Sequence, residues 1–230
     1  MRYRPFLEGL EGRLVPAANV APLPAGIVGS VEYYGRLVDE TYGQLLFRAP
    51  TAAERNYWVT NLAAGRTTDE RFTAGLLGGI EFSFGHNPPN ATDPVWIDSV
   101  YVNVLGRFAE DFGLAAWKSA LRSGASREAV ALAICTSDEA EGNYVDHTYR
   151  AFLGRPASAP ERDAWVELIE YESSRVTRER FSAAVASSPE AFAHVNSDVT
   201  AYINLLYREF LGRAPDAGGF AHFAQVAAGI

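Results

Sequence analysis

Four arginines occur in one recurring sequence context, and they are the residues of this chain best suited to binding chemistry. A tyrosine precedes each arginine by six residues, a leucine precedes it by two, and a large aromatic residue follows it by ten. With 11 Tyr in 230 residues, four matches at one offset indicate an internal repeat. The arginines are Arg48, Arg107, Arg155 and Arg213, the tyrosines are Tyr42, Tyr101, Tyr149 and Tyr207, and the aromatics are Trp58, Trp117, Trp165 and Phe223.

The chemistry of these arginines allows two hypotheses, because a guanidinium group binds a carboxylate or a phosphate through two parallel hydrogen bonds. In the structural hypothesis, each arginine pairs with the closing glutamate of its own repeat and connects three helices; these glutamates are Glu81, Glu139 and Glu190. In the functional hypothesis, the arginines bind carboxylate or phosphate groups of a ligand such as an acidic polysaccharide. We favour the structural pairing.

The recurring aromatic residues could stack on sugar rings. However, Trp58, Trp117 and Trp165 are each followed four residues later by a leucine or an isoleucine, which is the spacing of one helix face. This spacing favours packing of the indole rings in the core.

Other patterns for catalysis or metal binding are weak. The histidines have no ligand spacing, and the chain has no calcium loop, no Gly-x-Ser-x-Gly and no phosphate-binding glycine loop. Cys135 lies among apolar residues and is expected to be a small buried hydrophobe. We therefore expect no catalytic residue, no metal and no cofactor, although an enzyme with residues scattered across the repeats stays an alternative. The four histidines are His86, His147, His194 and His222.

The overall composition is that of an ordinary globular chain, with 48% hydrophobic and 21% charged residues. The formal net charge is −8, and the acidic residues are dispersed. Because nucleic acids and anionic membranes need a basic face, neither is expected as a partner. No apolar run reaches the roughly 18 residues of a membrane-spanning helix, so no membrane span is expected.

The elements that position the arginines are predicted to be helices. Apolar residues lie ten, six, three and two residues before each arginine, and these offsets form one face of a helix. Glycine ends this first helix of the repeat at Gly106, Gly154 and Gly212, where a left-handed residue closes the last carbonyls. The first repeat has Phe47 there, so we expect its turn to differ or to be strained.

A second and a third helix are predicted to follow. Thr51 with Glu54, and Ser158 with Glu161, have the spacing of a capping box. In the second repeat, Glu110 stands at the N-cap position in place of a threonine or serine, and Asp111 is an alternative cap. The third helix is predicted in the first three repeats, with caps at Thr67, Ser126 and Thr177.

These patterns divide the chain into an N-terminal tail or tether at residues 1–30, repeats at 31–90, 91–140 and 141–195, and an incomplete repeat at 196–230. The predicted fold class is all-α, with tandem three-helix repeats packed into an irregular helical assembly. The incomplete C-terminal repeat has two explanations: the chain is a fragment, or its exposed helix face pairs with another molecule. We expect self-association or a partner surface there, because an uncapped end exposes apolar area.

The repeat resembles a bacterial family known as domain of unknown function 4214. The resemblance rests on the tyrosine, on Leu-Gly-Arg-x-Pro-Asp, on the following glycine and aromatic, and on the closing Ser-x-Glu-Phe, and its clearest copy is Leu211–Phe220. It implies a secreted or surface protein. Residues 7–16 also resemble a short N-terminal element common in planctomycete-type bacteria, which implies export.

We therefore expect a non-enzymatic helical repeat module of a secreted or cell-surface bacterial protein, with an interaction or scaffolding role. Its expected partners are a protein or a cell-surface polysaccharide. The alternative is a carbohydrate-binding module that uses the arginines between the helices and the nearby aromatic residues.

Overall fold

A computed structural model describes residues 26–86, 93–171 and 177–228, and all regular elements in these ranges are α-helices. The predicted all-α class is confirmed. In chain order the helices are α1 (Val31–Leu46), α2 (Ala52–Ala63), α3 (Asp69–Gly78), α4 (Ile80–His86), α5 (Asp93–Leu105), α6 (Asp111–Arg122), α7 (Arg127–Cys135), α8 (Asp138–Leu153), α9 (Ala159–Tyr171), α10 (Arg178–Ala186), α11 (Pro189–His194), α12 (Val199–Leu211) and α13 (Ala217–Ala228).

The chain forms two compact units. The first unit comprises Tyr34–Asn143, and the second comprises Met1–Tyr33 together with Tyr144–Ile230. The first unit therefore contains Arg48 and Arg107, and the second contains Arg155 and Arg213. None of the helices in the described ranges is long and apolar enough to cross a bilayer.

The first helices of the repeats, α1, α5, α8 and α12, bury the predicted face. The residues ten positions before the arginines are fully buried: Val38, Ile97, Val145 and Ile203 are each 0% exposed. The four tyrosines are buried as well. A side chain that removes this much apolar surface from water contributes about 1.5–3 kcal/mol, so these positions hold the first helix against its repeat.

The turn after each first helix has the same backbone conformation in all four repeats. Gly106, Gly154 and Gly212 have φ values of 71°, 69° and 66°, as the glycine pattern predicts. Phe47 adopts the same left-handed conformation, with φ 55°. The expectation of strain at Phe47 is therefore the one that applies, because a side chain in this region costs about 1–2 kcal/mol.

The second helix begins four residues after the arginine, and the residue three after the arginine directly precedes it. Thr51 and Glu54 form the predicted capping box at the start of α2. At the start of α9, the carboxylate of Glu161 accepts hydrogen bonds from the backbone nitrogen and the hydroxyl of Ser158 at 2.8 and 2.6 Å. Helix α6 has Glu110 at its N-cap without a side-chain capping bond.

The third helices begin with the predicted cap in two of three cases. Ser126 caps α7 and Thr177 caps α10. For α3 the prediction of Thr67 is wrong by one residue, since Thr68 accepts the hydrogen bond from the backbone nitrogen of Arg71. Both residues are threonine, and the sequence pattern alone does not separate them.

In the first unit, α3 and α7 approach so closely that their backbones nearly touch. A Cβ atom at Gly78 would lie 2.5 Å from the backbone nitrogen of Glu128, so only glycine fits there. Trp96 is 0% exposed beside this contact, and its indole N–H donates to the carbonyl of Leu77 at 3.0 Å. Cys135 is buried at the end of α7, as expected.

In the second unit, the core joins all six helices from α8 to α13. Phe152 and Phe210 lie with their ring centroids 4.9 Å apart, and Phe181 packs on Trp165 at 4.8 Å. Ile27 is 2% exposed and belongs to the same core, although the sequence places it in the N-terminal tail. Residues 1–25 of that tail lie outside the described residues.

Candidate functional site

Four arginine clusters are the recurring polar sites of the described chain. Each cluster consists of one of the four repeated arginines, the tyrosine six residues before it, an acid at the start of the second helix and a glutamate that begins a later or earlier helix. In the first cluster, Arg48 binds Glu54 through two hydrogen bonds of 3.0 and 2.8 Å. Its other edge binds both carboxylate oxygens of Glu81, and one nitrogen also donates to the carbonyl of Ala49 at 3.1 Å.

The predicted pairs between arginines and closing glutamates are present in the first three clusters. Arg107 donates to both oxygens of Glu139 at 2.6 Å. Arg155 donates to both oxygens of Glu190 at 2.5 and 2.9 Å. Each of these glutamates begins a helix, so one guanidinium connects the end of a first helix, the start of the second helix and the start of a later helix.

In each cluster, the guanidinium group of the arginine stacks over the ring of the tyrosine. The carbon Cζ of Arg48 lies 5.1 Å from the ring centroid of Tyr42, and the other three clusters show 5.1–5.3 Å. A cation over an aromatic ring contributes about 0.5–1 kcal/mol at an exposed site. The tyrosine therefore serves the cluster as well as the core.

The tyrosine hydroxyl also has a partner, which the sequence pattern explains. The indole N–H groups of Trp58, Trp117 and Trp165 donate to the hydroxyls of Tyr42, Tyr101 and Tyr149 at 3.1, 2.9 and 3.0 Å. In the fourth repeat, Phe223 contacts Tyr207 edge-on with a centroid distance of 5.8 Å. Trp165 and Phe223 are buried as predicted, whereas Trp58 and Trp117 are half-buried. The recurring aromatic therefore packs on its repeat and, as tryptophan, also holds the tyrosine hydroxyl.

The clusters occur in two chemical versions. In the first and third, the second acid stands six residues after the arginine, as Glu54 and Glu161. In the second and fourth, it stands three residues after the arginine, as Glu110 and Asp216. Glycine occupies the position six residues after the arginine in these two clusters, as Gly113 and Gly219.

The exchange of glutamate for glycine has a steric reason. A Cβ atom on Gly113 would lie 2.9 Å from the hydroxyl oxygen of Tyr101, and on Gly219 it would lie 2.2 Å from that of Tyr207. When the acid moves to the earlier position, the tyrosine hydroxyl takes the space that it leaves.

The glutamate of the fourth cluster comes from the N-terminal part of the chain. Arg213 binds both carboxylate oxygens of Glu32, the second at 3.0 Å, across 181 residues. Ser30 caps this helix start by accepting a hydrogen bond from the backbone nitrogen of Tyr33 at 3.1 Å. The same arrangement occurs at Ser137 and Ser188, which precede Glu139 and Glu190. Residues 30–33 therefore complete the fourth repeat.

Sequence reasoning missed Glu32, although a signal exists. A serine eighteen residues and a glutamate sixteen residues before the arginine occur twice: Ser137 and Glu139 precede Arg155, and Ser30 and Glu32 precede Arg48. Aligning these two helix starts would identify Glu32 as a closing glutamate. The second acid of each cluster was assigned only a capping role, because its distance to the arginine depends on the turn geometry.

Mutual hydrogen bonding holds the clusters ionised at neutral pH. Hydrogen bonds from Arg48 lower the pKa of Glu54 to about 2. Burial raises the pKa of Glu161, but hydrogen bonds from Arg155 and Ser158 outweigh it and bring the pKa to about 2. The glutamates in turn raise the pKa of Arg48 and Arg155. A general acid or base needs a pKa near the working pH, so these groups are suited to holding structure.

Charge at the clusters also opposes anion binding. Each of the four guanidiniums faces two carboxylates, so each cluster has a formal charge of −1. A carboxylate or phosphate ligand would have to displace glutamates already bound in bidentate geometry. The arrangement therefore favours the structural hypothesis for Arg48, Arg107, Arg155 and Arg213.

The histidines do not form a joint site in the described part of the chain. His147, His194 and His222 are exposed, and the side chain of His86 lies outside the described residues. His194 lies against Gly154, and His222 contacts Phe223 edge-on. Within the described residues, no group of three histidine, cysteine or acidic side chains is arranged to hold a metal ion.

Several large apolar side chains are exposed around the two clusters of the first unit. Phe47 directly precedes Arg48 and is 69% exposed, and Phe108 directly follows Arg107 and is 72% exposed. Phe112, near the start of α6, is 84% exposed. Tyr57 on α2 is 60% exposed. Singly exposed apolar residues are ordinary, but four exposed aromatic rings within ten residues of a recurring arginine are candidates for a contact surface.

Comparison with protein families assigns the repeated segments. Residues 83–143 and 182–230 match the family described as domain of unknown function (DUF4214). Two segments of this chain are DUF4214-like. Each DUF4214-like segment contains a cluster of the second chemical version, with Glu110 and Gly113 in one and Asp216 and Gly219 in the other. Searches of curated proteins and of solved structures returned no significant match.

The DUF4214-like segments do not include every arginine cluster. Arg48 and Arg155 lie outside the matched ranges, and both have their second acid six residues later and a threonine or serine at the cap. Their three-dimensional arrangement is nevertheless the same. The two versions are thus alternative sequences for one cluster.

Proposed function

We propose that this chain is a non-enzymatic helical repeat module of a secreted or cell-surface bacterial protein, with an interaction or scaffolding role. The observation that carries the proposal is the commitment of all four recurring arginines to carboxylates of the chain itself. The most regular polar feature of the molecule is thereby used to join helices. A partner would therefore bind the outer surface of the protein. The exposed aromatic rings of the first unit are the most suitable part of that surface.

Two considerations support the location outside the cell. Residues 83–143 and 182–230 are DUF4214-like, and the bacterial family that the repeat resembles contains secreted and surface proteins. Residues 7–16 resemble an element found at the front of exported planctomycete-type proteins, although they lie outside the described residues. Protease treatment of intact source cells tests the location: a cell-surface protein is digested while a cytoplasmic control protein survives.

The interaction role is tested by cross-linking at the aromatic surface. Phe112 is replaced by the photoreactive residue benzoylphenylalanine in the full chain within its source cells, and conjugates are identified by mass spectrometry. The control carries the same residue at Arg122, which is exposed at the far end of α6. A defined protein conjugate at position 112 that is weaker at position 122 supports the proposal. Equal, unspecific labelling at both positions contradicts it.

A carbohydrate-binding role is the second candidate, and the exposed rings favour it more than the arginines do. Tyr57 is 60% exposed, and its ring meets that of Trp58 in a T-shaped contact with centroids 5.1 Å apart. A tyrosine held in this way can stack on a sugar ring. A glycan array with the full chain and with Tyr57→Ala tests the role: binding that Tyr57→Ala removes favours it, and a blank array excludes the tested glycans.

A further inference from the structure

The fourth arginine cluster differs from the others in how its parts are connected. In the first three clusters, the closing glutamate follows its arginine by 33, 32 and 35 residues. In the fourth, Glu32 and Arg213 are 181 residues apart. The arginine therefore binds its glutamate in nearly the same way whether the two residues are close in sequence or far apart. The arginine recognises the glutamate segment through side chains, as two separate molecules would.

The segment that Arg213 receives has a defined set of contacts. Ile27 is buried in the core of the second unit, and Gly26 lies against the ring of Phe223. Tyr33 packs edge-on against Phe210 with centroids 6.2 Å apart. Together with the capping by Ser30 and the two hydrogen bonds to Glu32, these contacts describe a receptor for a short Ser-x-Glu-aromatic helix start.

The second acid of this cluster binds less tightly than in the others. Asp216 lies 3.4 Å from Arg213, whereas Glu54 and Glu161 lie 2.8 and 3.0 Å from their arginines and bind through two hydrogen bonds each. Glu32 therefore supplies most of the charge compensation for Arg213. Removal or replacement of this segment would leave the arginine without its principal partner.

We propose that the fourth cluster is an exchangeable binding site for a Ser-x-Glu-aromatic helix start, and that its partner in assembly is residues 26–33 of a second copy of this chain. The inference deepens the proposed interaction role, since it names the partner. Within one chain the segment is tethered, so its contact with Arg213 is intramolecular and is favoured over contact with a second copy at ordinary protein concentrations. The monomer in which residues 26–33 bind the Arg213 site of their own chain is accordingly the ground state. When two copies exchange these segments, each binds the site of the other chain, and the product is a reciprocal dimer.

A pair of charge-reversed chains tests the exchange. Glu32→Arg places two cations together in the closed monomer, and Arg213→Glu places two or more anions together. In a reciprocal dimer of one chain of each kind, both sites again hold one arginine opposite one glutamate. The two full-length variants are mixed in urea, refolded together and measured by size-exclusion chromatography with light scattering.

The expected result is a dimer with about twice the chain mass of 25.0 kDa in the mixture, and monomer from each variant alone and from the double variant E32R/R213E. The control mixture pairs Arg213→Glu with Glu40→Arg, which reverses a charge on the same helix whose partner is Arg36, one turn away. This control should not dimerise. A purely monomeric mixture of E32R and R213E, with both chains folded by circular dichroism, overturns the proposal.

A peptide measurement covers the case in which the variants refold poorly. A labelled peptide of residues 26–40 should bind the E32R chain about tenfold or more tightly than the wild type, in which the tethered segment competes. The same peptide carrying Glu32→Arg should lose this binding. Equal affinity of both peptides for the E32R chain contradicts the proposal. Cross-linking at position 112 is independent of this site, so the two proposals fail separately.

Discussion

The guanidinium of Arg213 binds the carboxylate of Glu32 through two hydrogen bonds, although 181 residues separate them in the chain. The start of α1 thereby supplies to the fourth repeat what α4, α8 and α11 supply to the first three. Self-association through the incomplete C-terminal repeat stays a prediction. Part of the apolar area on which it rests is covered within the chain, since Phe223 is 8% exposed and residues 26–33 pack on this repeat within the second unit.

Replacing Glu32 by alanine should destabilise the second unit by about 1 kcal/mol, at the upper end of the range for partly exposed ion pairs. The bond is bidentate, and the side chains of Arg213 and Glu32 are 38% and 49% exposed. Urea unfolding measures the loss. Glu40→Ala is the control, because its pair with Arg36 lies within one helix and is worth about 0.3–0.5 kcal/mol. An effect of E32A no larger than that of E40A would contradict the role of Glu32.

Replacing Arg155 by lysine should lower the melting temperature, with a loss of about 1–2 kcal/mol. A lysine keeps the charge but cannot bind Glu161 and Glu190 through two parallel hydrogen bonds each. The control is Arg150→Lys, at an exposed position one turn earlier on α8. Thermal unfolding followed by circular dichroism compares the two. Equal melting curves for the wild type and R155K would discredit the structural interpretation of the arginines.

The sequence predicts the helices well because their signals are local. The buried face that includes Val145 and Tyr149, the glycine at 154 and the cap at Ser158 each follow from residues within a few turns of one another. The partner of Arg213 could not be found in this way, since nothing local to residue 213 points to residue 32. The hydrogen bond from Trp165 to Tyr149 was also missed, because periodicity shows which face a residue occupies but not how two buried polar atoms meet.

Replacing Gly78 by alanine should destabilise the first unit by about 1–3 kcal/mol, the usual cost of overpacking. The added Cβ atom would lie 2.5 Å from the backbone nitrogen of Glu128, and backbone cannot move aside as a flexible side chain does. Gly43→Ala is the matched control. Gly43 lies on helix α1 with nothing within 4 Å of its Cβ position, so alanine should stabilise by up to about 1 kcal/mol through helix propensity. A Gly78→Ala variant at least as stable as the wild type in urea unfolding would contradict the close approach of α3 and α7.

Acid should destabilise the protein through the arginine clusters. The pKa of Glu54 falls from 4.5 to about 2 on folding, chiefly through its hydrogen bonds from Arg48. A group whose pKa is lowered in the folded state binds fewer protons there, so its stabilisation is complete above about pH 4.5 and is lost as the pH falls toward 2. Melting temperatures between pH 7 and pH 2 measure this loss. The difference between the wild type and Glu54→Gln should shrink over that window, and a constant difference would contradict the assignment.

Replacing Trp165 by phenylalanine should be tolerated better than replacing it by alanine, because the fourth repeat already uses Phe223 at the equivalent position. Phenylalanine keeps the ring that packs on Phe181 but loses the indole N–H that donates to Tyr149 at 3.0 Å. The loss of one hydrogen bond costs about 1–2 kcal/mol, whereas removal of the ring costs about 3–5 kcal/mol. Urea unfolding of W165F and W165A separates the two contributions. Equal destabilisation by both would mean that the hydrogen bond to Tyr149, and not the packing of the ring, is what the tryptophan provides.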